Sequence, residues 1–234
     1  MKKHIPNFIT LCNLVCGCVS IYLSMWFNEQ WAAAFVFIAL LFDFADGLVA
    51  RMLNAYSEIG KQLDSLADVV SFGVAPAFIL INQFTFHCGN NFEFPEWLKY
   101  ISFLIPVFGA LRLAKFNVDT RQKEIFMGLP IPSAGIFIAS LPLIFLTDGF
   151  LKPLILNPWI LAGVVIFLSV MMVAGVPLFS LKFKRNVTGA NRIQAVFLFL
   201  SLFLILFYEV SAVPLIILLY IFLSVFGKKY FYTQ

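Results

Sequence analysis

Eight apolar stretches divide almost the whole chain, and no other feature limits its fold so tightly. They run about 8–27, 31–54, 61–83, 97–115, 131–147, 154–178, 192–208 and 211–227. An α-helix needs about 20 apolar residues to cross the hydrocarbon core of a bilayer. The breaks carry turn and charge signals: Asn28-Glu29, Tyr56-Ser57-Glu58, Cys88-Gly89-Asn90-Asn91, Asp119 to Glu124, Asp148-Gly149, Lys182 to Asn191, and Glu209 ahead of Pro214. In lipid every backbone N–H and C=O must be paired within its own segment, and no ten-residue alternating pattern suggests barrel strands. The expected architecture is therefore all-α and polytopic, a bundle of about eight transmembrane helices. Of the 234 residues 62% are hydrophobic and only 12% charged, whereas soluble domains carry about a quarter charged residues. This excludes a soluble nucleic-acid binder, a disordered chain and a secreted disulfide-stapled domain. The expected surroundings are a lipid bilayer, with no nucleic-acid partner.

The basic residues orient the bundle. Lys2 and Lys3 precede the first stretch, and Arg51 and Lys61 flank the second link. Arg112, Lys115, Arg121 and Lys123 lie between stretches four and five, Lys182, Lys184, Arg185 and Arg192 between six and seven, and Lys228 and Lys229 after the eighth. With eight spans these 14 fall on one side, and only Lys99 and Lys152 on the other. Lys and Arg concentrate in cytoplasmic loops, so both termini are expected in the cytoplasm. Lys2-Lys3 before an apolar run resembles the start of a signal peptide. No A-x-A-like site follows, however, and Asn7, Thr10 and Asn13 interrupt the run, so a retained first helix is expected. Cys12, Cys16 and Cys18 lie in that stretch and Cys88 in an expected loop. With His4 and His87 the only histidines and no CxxC pair, a Cys/His zinc site is not expected.

Four of the twelve acidic residues sit inside stretches two and three: Asp43, Asp46, Asp64 and Asp68. A charge near mid-membrane costs at least ~2.5 kcal/mol on insertion scales. Asp43 and Asp46 are i,i+3 and share one helix face; Asp64 and Asp68 are i,i+4 and share another. The short link near 55–60 makes the two helices antiparallel neighbours, with Asp46 ~12 Å of rise from Asn54 and Asp64 ~6 Å beyond Gly60. The carboxylates can thus converge in the cytoplasmic half of the membrane. Such a cluster repels itself unless cations neutralise it, and hard divalent ions with oxygen ligands, Mg²⁺ or Mn²⁺, fit best. A carboxylate-held metal with open positions suits phosphate groups. Gly47 and Ala50 leave the helix surface bare for a ligand, and Arg51 adds a cation suited to phosphate. Ion pairing within the bundle, or a cation-transport path, are the competing explanations of the same residues.

As a string, Asp43-x2-Asp46-Gly47-x2-Ala50-Arg51-x8-Gly60-x3-Asp64-x3-Asp68 resembles the signature of the CDP-alcohol phosphatidyltransferase family at every defining position. Four further segments resemble its integral-membrane, serine-using branch. They are Ile5-Pro6-Asn7-x2-Thr10-x2-Asn13, the run Ser65 to Pro76, Leu111-Arg112-Leu113-Ala114-Lys115-Phe116-Asn117, and Gly128-Leu129-Pro130-Ile131-Pro132. Lys115 stands where that branch commonly shows Arg, which keeps the charge and loses the planar fork. The resemblance spans roughly 5–185 of an expected single membrane domain over 1–234, leaving 192–227 as two further helices.

The resemblance implies transfer of the phosphatidyl group of CDP-diacylglycerol to the hydroxyl of L-serine, giving phosphatidylserine and CMP. It implies a site with two Mg²⁺ or Mn²⁺ ions held by Asp43, Asp46, Asp64 and Asp68, with Asp68 also taking the acceptor's proton. Asn7, Thr10, Gly47, Ala50, Arg51 and Gly60 would then line the CDP-lipid pocket. A homodimer in a bacterial plasma (inner) membrane, its active site facing the cytoplasm, is implied as well. Elementary chemistry agrees: a diphosphate needs metal or Arg clamping, and a serine hydroxyl needs a general base. With no Ser/His or Cys/His pair, direct displacement is favoured over a covalent intermediate.

Serine also presents a carboxylate, for which Arg112 and Lys115, i,i+3 and followed by Asn117, are candidates; simple anchoring of a helix end is the alternative. Ser71 and Gly73 before Pro76 can break the helix and offer groups to the acceptor, or merely pack. Lys182 and Lys184, beside Arg185, can meet donor phosphate or anionic headgroups. Gly128-Leu129-Pro130-x-Pro132 reads as a non-helical approach to the fifth helix or as a plain helix start. Other acceptors, such as glycerol 3-phosphate or inositol phosphate, would demand more Arg and Lys near the pocket. A carboxylate-lined cation transporter would not require the glycine, alanine and arginine of the motif.

Overall fold

The structure, a computed structural model, describes residues 4–118, 126–146, 151–178 and 188–227. It is helical throughout apart from a two-residue antiparallel ladder, in which Phe126–Met127 (β1) pairs with Pro177–Leu178 (β2). In chain order the helices are α1 (His4–Met25), α2 (Glu29–Met52), α3 (Glu58–Cys88), α4 (Glu96–Val118), α5 (Ile131–Ile144), α6 (Pro158–Val173), α7 (Thr188–Tyr208) and α8 (Ala212–Phe226). Among the described residues five helical runs are long and apolar enough to cross a membrane: α1, α2, α3, α4 and the run Ile193–Phe226. That last run contains most of α7 and all of α8. It is folded back on itself, since the rings of Phe197 and Tyr220 lie 5.8 Å apart, and Glu209 at the bend has a positive φ of 47°. Helices α5 and α6 are apolar but shorter.

Local sequence explains two helix starts. Ser57 caps α3, its hydroxyl accepting from the Gly60 amide at 3.0 Å. Asn157 caps α6 by accepting from the amides of Trp159 and Ile160, with Pro158 at the first helical position. A one-turn helix, Lys152–Leu156, precedes it, so the sixth apolar stretch begins as two pieces. The Gly128–Pro130 segment is not helical and is pinned to the end of α6: the Gly128 amide donates to Val176 O and the Leu129 amide to Met171 O, both at 2.9 Å. Gly128 has a φ of +76°, and a Cβ there would collide with the Met172 carbonyl. Cys88, expected in a loop, is instead buried at the end of α3.

Helix α1 lies in the angle between α2 and α3, which also pack on α5, while α4 packs on α6 and α8 on α5. Small residues set the closest approaches, as is usual between membrane helices. A Cβ on Gly17 would come within 2.5 Å of Ser71 Oγ. Ser71 itself is buried, and its hydroxyl donates to the Asn13 carbonyl at 3.0 Å. The helix is not broken by Gly73 and Pro76. It widens instead to a π-helical turn over Val69–Val74, starting directly after Asp68; such turns often accompany functional sites.

Candidate active site

Helices α2 and α3 bring Asp43, Asp64 and Asp68 together, each offering a carboxylate oxygen within 4.8 Å of the others. Asp68 is only 7% exposed, and its Oδ1 has no hydrogen-bond partner. No Lys or Arg among the described residues lies within ion-pair distance of the three. An orphaned buried carboxylate oxygen beside two further carboxylates, with no cation of the described residues in ion-pair range, is a donor set fitted to a divalent cation. Asp46, expected to complete the cluster, is 6% exposed and turned toward α1, where Thr10 Oγ1 lies 2.5 Å from its Oδ2. Its i,i+3 spacing to Asp43 puts both on one face; the hydroxyl from the neighbouring helix decides where the carboxylate goes.

Toward the chain's turn between α2 and α3 lies an open cleft of about 220 Å³, which Asp64 of the cluster reaches. Asn7, Thr10, Gly47, Ala50 and Gly60 line it together with Asp46 and Asp64. Five of the six residues expected in the CDP-lipid pocket therefore share one cavity. The sixth, Arg51, is exposed at its margin, with Nη2 3.9 Å from where a Cβ on Gly47 would stand. A Cβ on Gly60 would come within 2.8 Å of Asn7 Oδ1 and 2.9 Å of Ser57 Oγ, so a side chain there would close the cleft. Tyr56, Ser57 and Lys61 also line it. Sequence reasoning took them only as a turn and an inside charge, although Ser57 three residues before Gly60 is a recognisable cap.

The basic residues of α4 diverge. Arg112 is 9% exposed, its Nε without a partner, within electrostatic reach of Asp68 and of Tyr220 on α8. Lys115 is exposed. Asn117 joins the ends of two helices: its Nδ2 donates to Ser65 Oγ at 2.9 Å, and Lys61 Nζ donates to its carbonyl at 3.3 Å. Tyr220 is a neighbour that apolar patterning could not reveal, because it sits in an otherwise generic stretch. Lys182 and Lys184 lie outside the described residues, as do Arg121, Lys123 and Arg185.

Three clustered carboxylates, a glycine-lined cleft reaching Asn7 and Thr10, and a buried arginine within electrostatic reach of Asp68 have the chemistry that suits a phosphorylated ligand. The CDP-alcohol phosphatidyltransferase family model matches residues 3–168, and the chain belongs to that family. It is similar to the CDP-diacylglycerol–serine O-phosphatidyltransferase of Bacillus subtilis (strain 168), 37% identical over 139 residues, 59% of this chain and 75% of the relative. The protein of the same name from Helicobacter pylori (strain J99) is 35% identical over 173 residues, covering 73% and 70%. An archaetidylserine synthase of Methanothermobacter thermautotrophicus is 35% identical over 174 residues, covering 74% and 68%.

Proposed function

We propose that this chain transfers the phosphatidyl group of CDP-diacylglycerol to the hydroxyl of L-serine, releasing CMP and forming phosphatidylserine. The observation that carries the reading is the Asp43, Asp64 and Asp68 cluster, whose Asp64 also lines the cleft of Asn7, Thr10, Gly47, Ala50 and Gly60. Serine in the names of all three relatives favours it as the acceptor.

Asn7, Thr10, Gly47, Ala50, Arg51 and Gly60 receive the cytidine diphosphate, the small residues by leaving room and Arg51 by its charge. Asp43, Asp46, Asp64 and Asp68 are the residues to hold Mg²⁺ or Mn²⁺, two ions by family analogy. A cation bound there supplies positive charge to the diphosphate as the phosphorus is attacked. Asp68 accepts the serine proton while the serine oxygen bonds to the phosphatidyl phosphorus and the bond to CMP breaks. Arg112 pairs with the serine carboxylate. Ser71 and Asn117 serve by fixing helix contacts around Asp68, and Lys115, Lys182 and Lys184 by attracting phosphate to the membrane face. The architecture we favour is one membrane domain of eight spans, α1 to α8, with catalytic helices within about 5–185. It forms a homodimer in a bacterial inner membrane, with both termini and the site on the cytoplasmic side.

The test is CMP release by purified protein in detergent with CDP-diacylglycerol, Mg²⁺ or Mn²⁺, and each of L-serine, glycerol 3-phosphate, inositol and inositol phosphate, with a chelator control. Metal-dependent release with serine alone is the expected result. Release with another acceptor instead would overturn the serine assignment; no release with any would overturn the transferase reading.

A further inference from the structure

Asn13 is fully buried, and both polar atoms of its side chain, Oδ1 and Nδ2, lack a hydrogen-bond partner. Buried amides are almost always paired in folded proteins, so an orphan with both a donor and an acceptor needs an explanation. Its depth is fixed by contacts on either side. Thr10, one turn toward the helix start, meets Asp46. Helices α1 and α2 are antiparallel neighbours, so one turn deeper from Thr10 on α1 matches one turn deeper from Asp46 on α2. That places Asn13 level with Asp43. On α3, the contact of Asn7 with Gly60 lies below it and that of Gly17 with Ser71 above it, which brings Asn13 level with Ala67 and Asp68. The Ser71 hydroxyl also donates to the backbone carbonyl of Asn13. Asn13 therefore belongs to the depth of the general base and not to the cleft mouth, where Asn7 and Gly60 lie.

We propose that the Asn13 carboxamide reads the ammonium of the amino-acid acceptor, making it a specificity-determining residue; this rests on the serine reading above. Serine brings three polar groups. Asp68 is assigned to the hydroxyl and Arg112 to the carboxylate, which leaves the ammonium without a protein partner. An amide oxygen accepts its N–H without adding a fifth negative charge to a site that already holds four carboxylates. The amide nitrogen then donates to one of the carboxylate or phosphate oxygens that crowd this depth. A site built to bond a polar group rejects analogues that lack it, because its own buried groups are left unpaired.

The experiment measures CMP release by the full-length wild type and by Asn13→Ala with L-serine, with 3-hydroxypropanoate, which lacks the ammonium, and with ethanolamine, which lacks the carboxylate. The expected result for Asn13→Ala is a rise of about ten-fold or more in KM for serine, with KM for CDP-diacylglycerol nearly unchanged. The preference for serine over 3-hydroxypropanoate should collapse, while that over ethanolamine, held by Arg112, should persist. Asn13→Asp keeps the size and an accepting oxygen, so it should retain the preference over 3-hydroxypropanoate; it also decides the matter if the alanine variant does not fold. Equal rises in both KM values, or an unchanged preference in Asn13→Ala, would overturn the proposal alone, as would loss of the preference in a folded Asn13→Asp. A wild type active with another acceptor but not with serine would overturn the serine reading, and this inference with it.

Discussion

Helices α2 and α3 carry buried acids at both ends, and the two ends treat them in opposite ways. At the start of α2, Glu29 is satisfied by protein. Its Oε2 accepts from Gln83 Nε2 at 2.6 Å and lies 3.2 Å from His87 Nε2, and the His87 ring stacks on Phe145 with centroids 4.1 Å apart. At the other end Asp43, Asp64 and Asp68 face one another with no cation among the described residues in ion-pair range, and Asp68 Oδ1 has no partner at all. Both clusters lie in membrane helices, where an unrelieved charge is expensive. The difference separates an acid that joins helices from acids held ready for something the chain does not itself supply. An acid satisfied by the fold contributes to stability; acids that repel one another detract from it until a ligand arrives.

The comparison breaks most readily at the repelling end. Asp64→Asn or Asp43→Asn should lower CMP release by about a thousand-fold or more, the scale expected when charge stabilisation of a phosphoryl centre is lost. Neither should lower the melting temperature in detergent, since each substitution removes one member of a like-charge cluster. A marked fall in melting temperature would make these carboxylates structural, as Glu29 is. Asp68→Asn should cost roughly 10²–10⁴-fold in turnover, the range for a general base, while leaving CDP-lipid binding largely intact. Near-normal turnover would remove Asp68 from that role. Arg112→Ala should raise KM for serine more than KM for the lipid donor; equal effects on both would point to structural damage around Asp68.

Hydropathy made the helices legible, because lipid leaves the backbone no alternative to pairing within each segment. Helix ends were less so. The fifth stretch stops at Ile144, and the sixth restarts at Pro158 because Asn157 caps there. Beyond Val173 the chain leaves the helix, and Pro177–Leu178 pairs with Phe126–Met127, a long-range ladder that no local pattern announces. In the site, spacing along each of two helices and the short link between them were enough to group Asp43, Asp64 and Asp68, and the motif grouped the residues of the cleft. What spacing could not supply was the neighbouring helix. Thr10 turns Asp46 aside, Ser71 is taken up by Asn13, and Arg112 and Lys115, one turn apart, end up buried and exposed. The π-turn after Asp68 had a signal in Gly73 and Pro76, read as a break where the helix instead widens.

The smallest effect on turnover, and the sharpest control, is expected at the satisfied end. Glu29→Ala removes the acceptor of Gln83 Nε2, and Gln83 is completely buried with its own Oε1 already unpartnered. Leaving a further buried polar group unpaired costs about 1–3 kcal/mol. It also frees His87 from the acid that holds it, loosening the join between the start of α2 and the end of α3. The expected outcome is a lower melting temperature in detergent with CMP release per folded molecule unchanged within about two-fold, since the two ends lie most of a helix length apart and effects at sites so distant are usually independent. This is the mirror image of Asp64→Asn, which should lose turnover and keep its stability. If Glu29→Ala instead lost activity in step with the aspartate variants, the two ends would be parts of one polar unit, and the division between joining acids and waiting acids would fall.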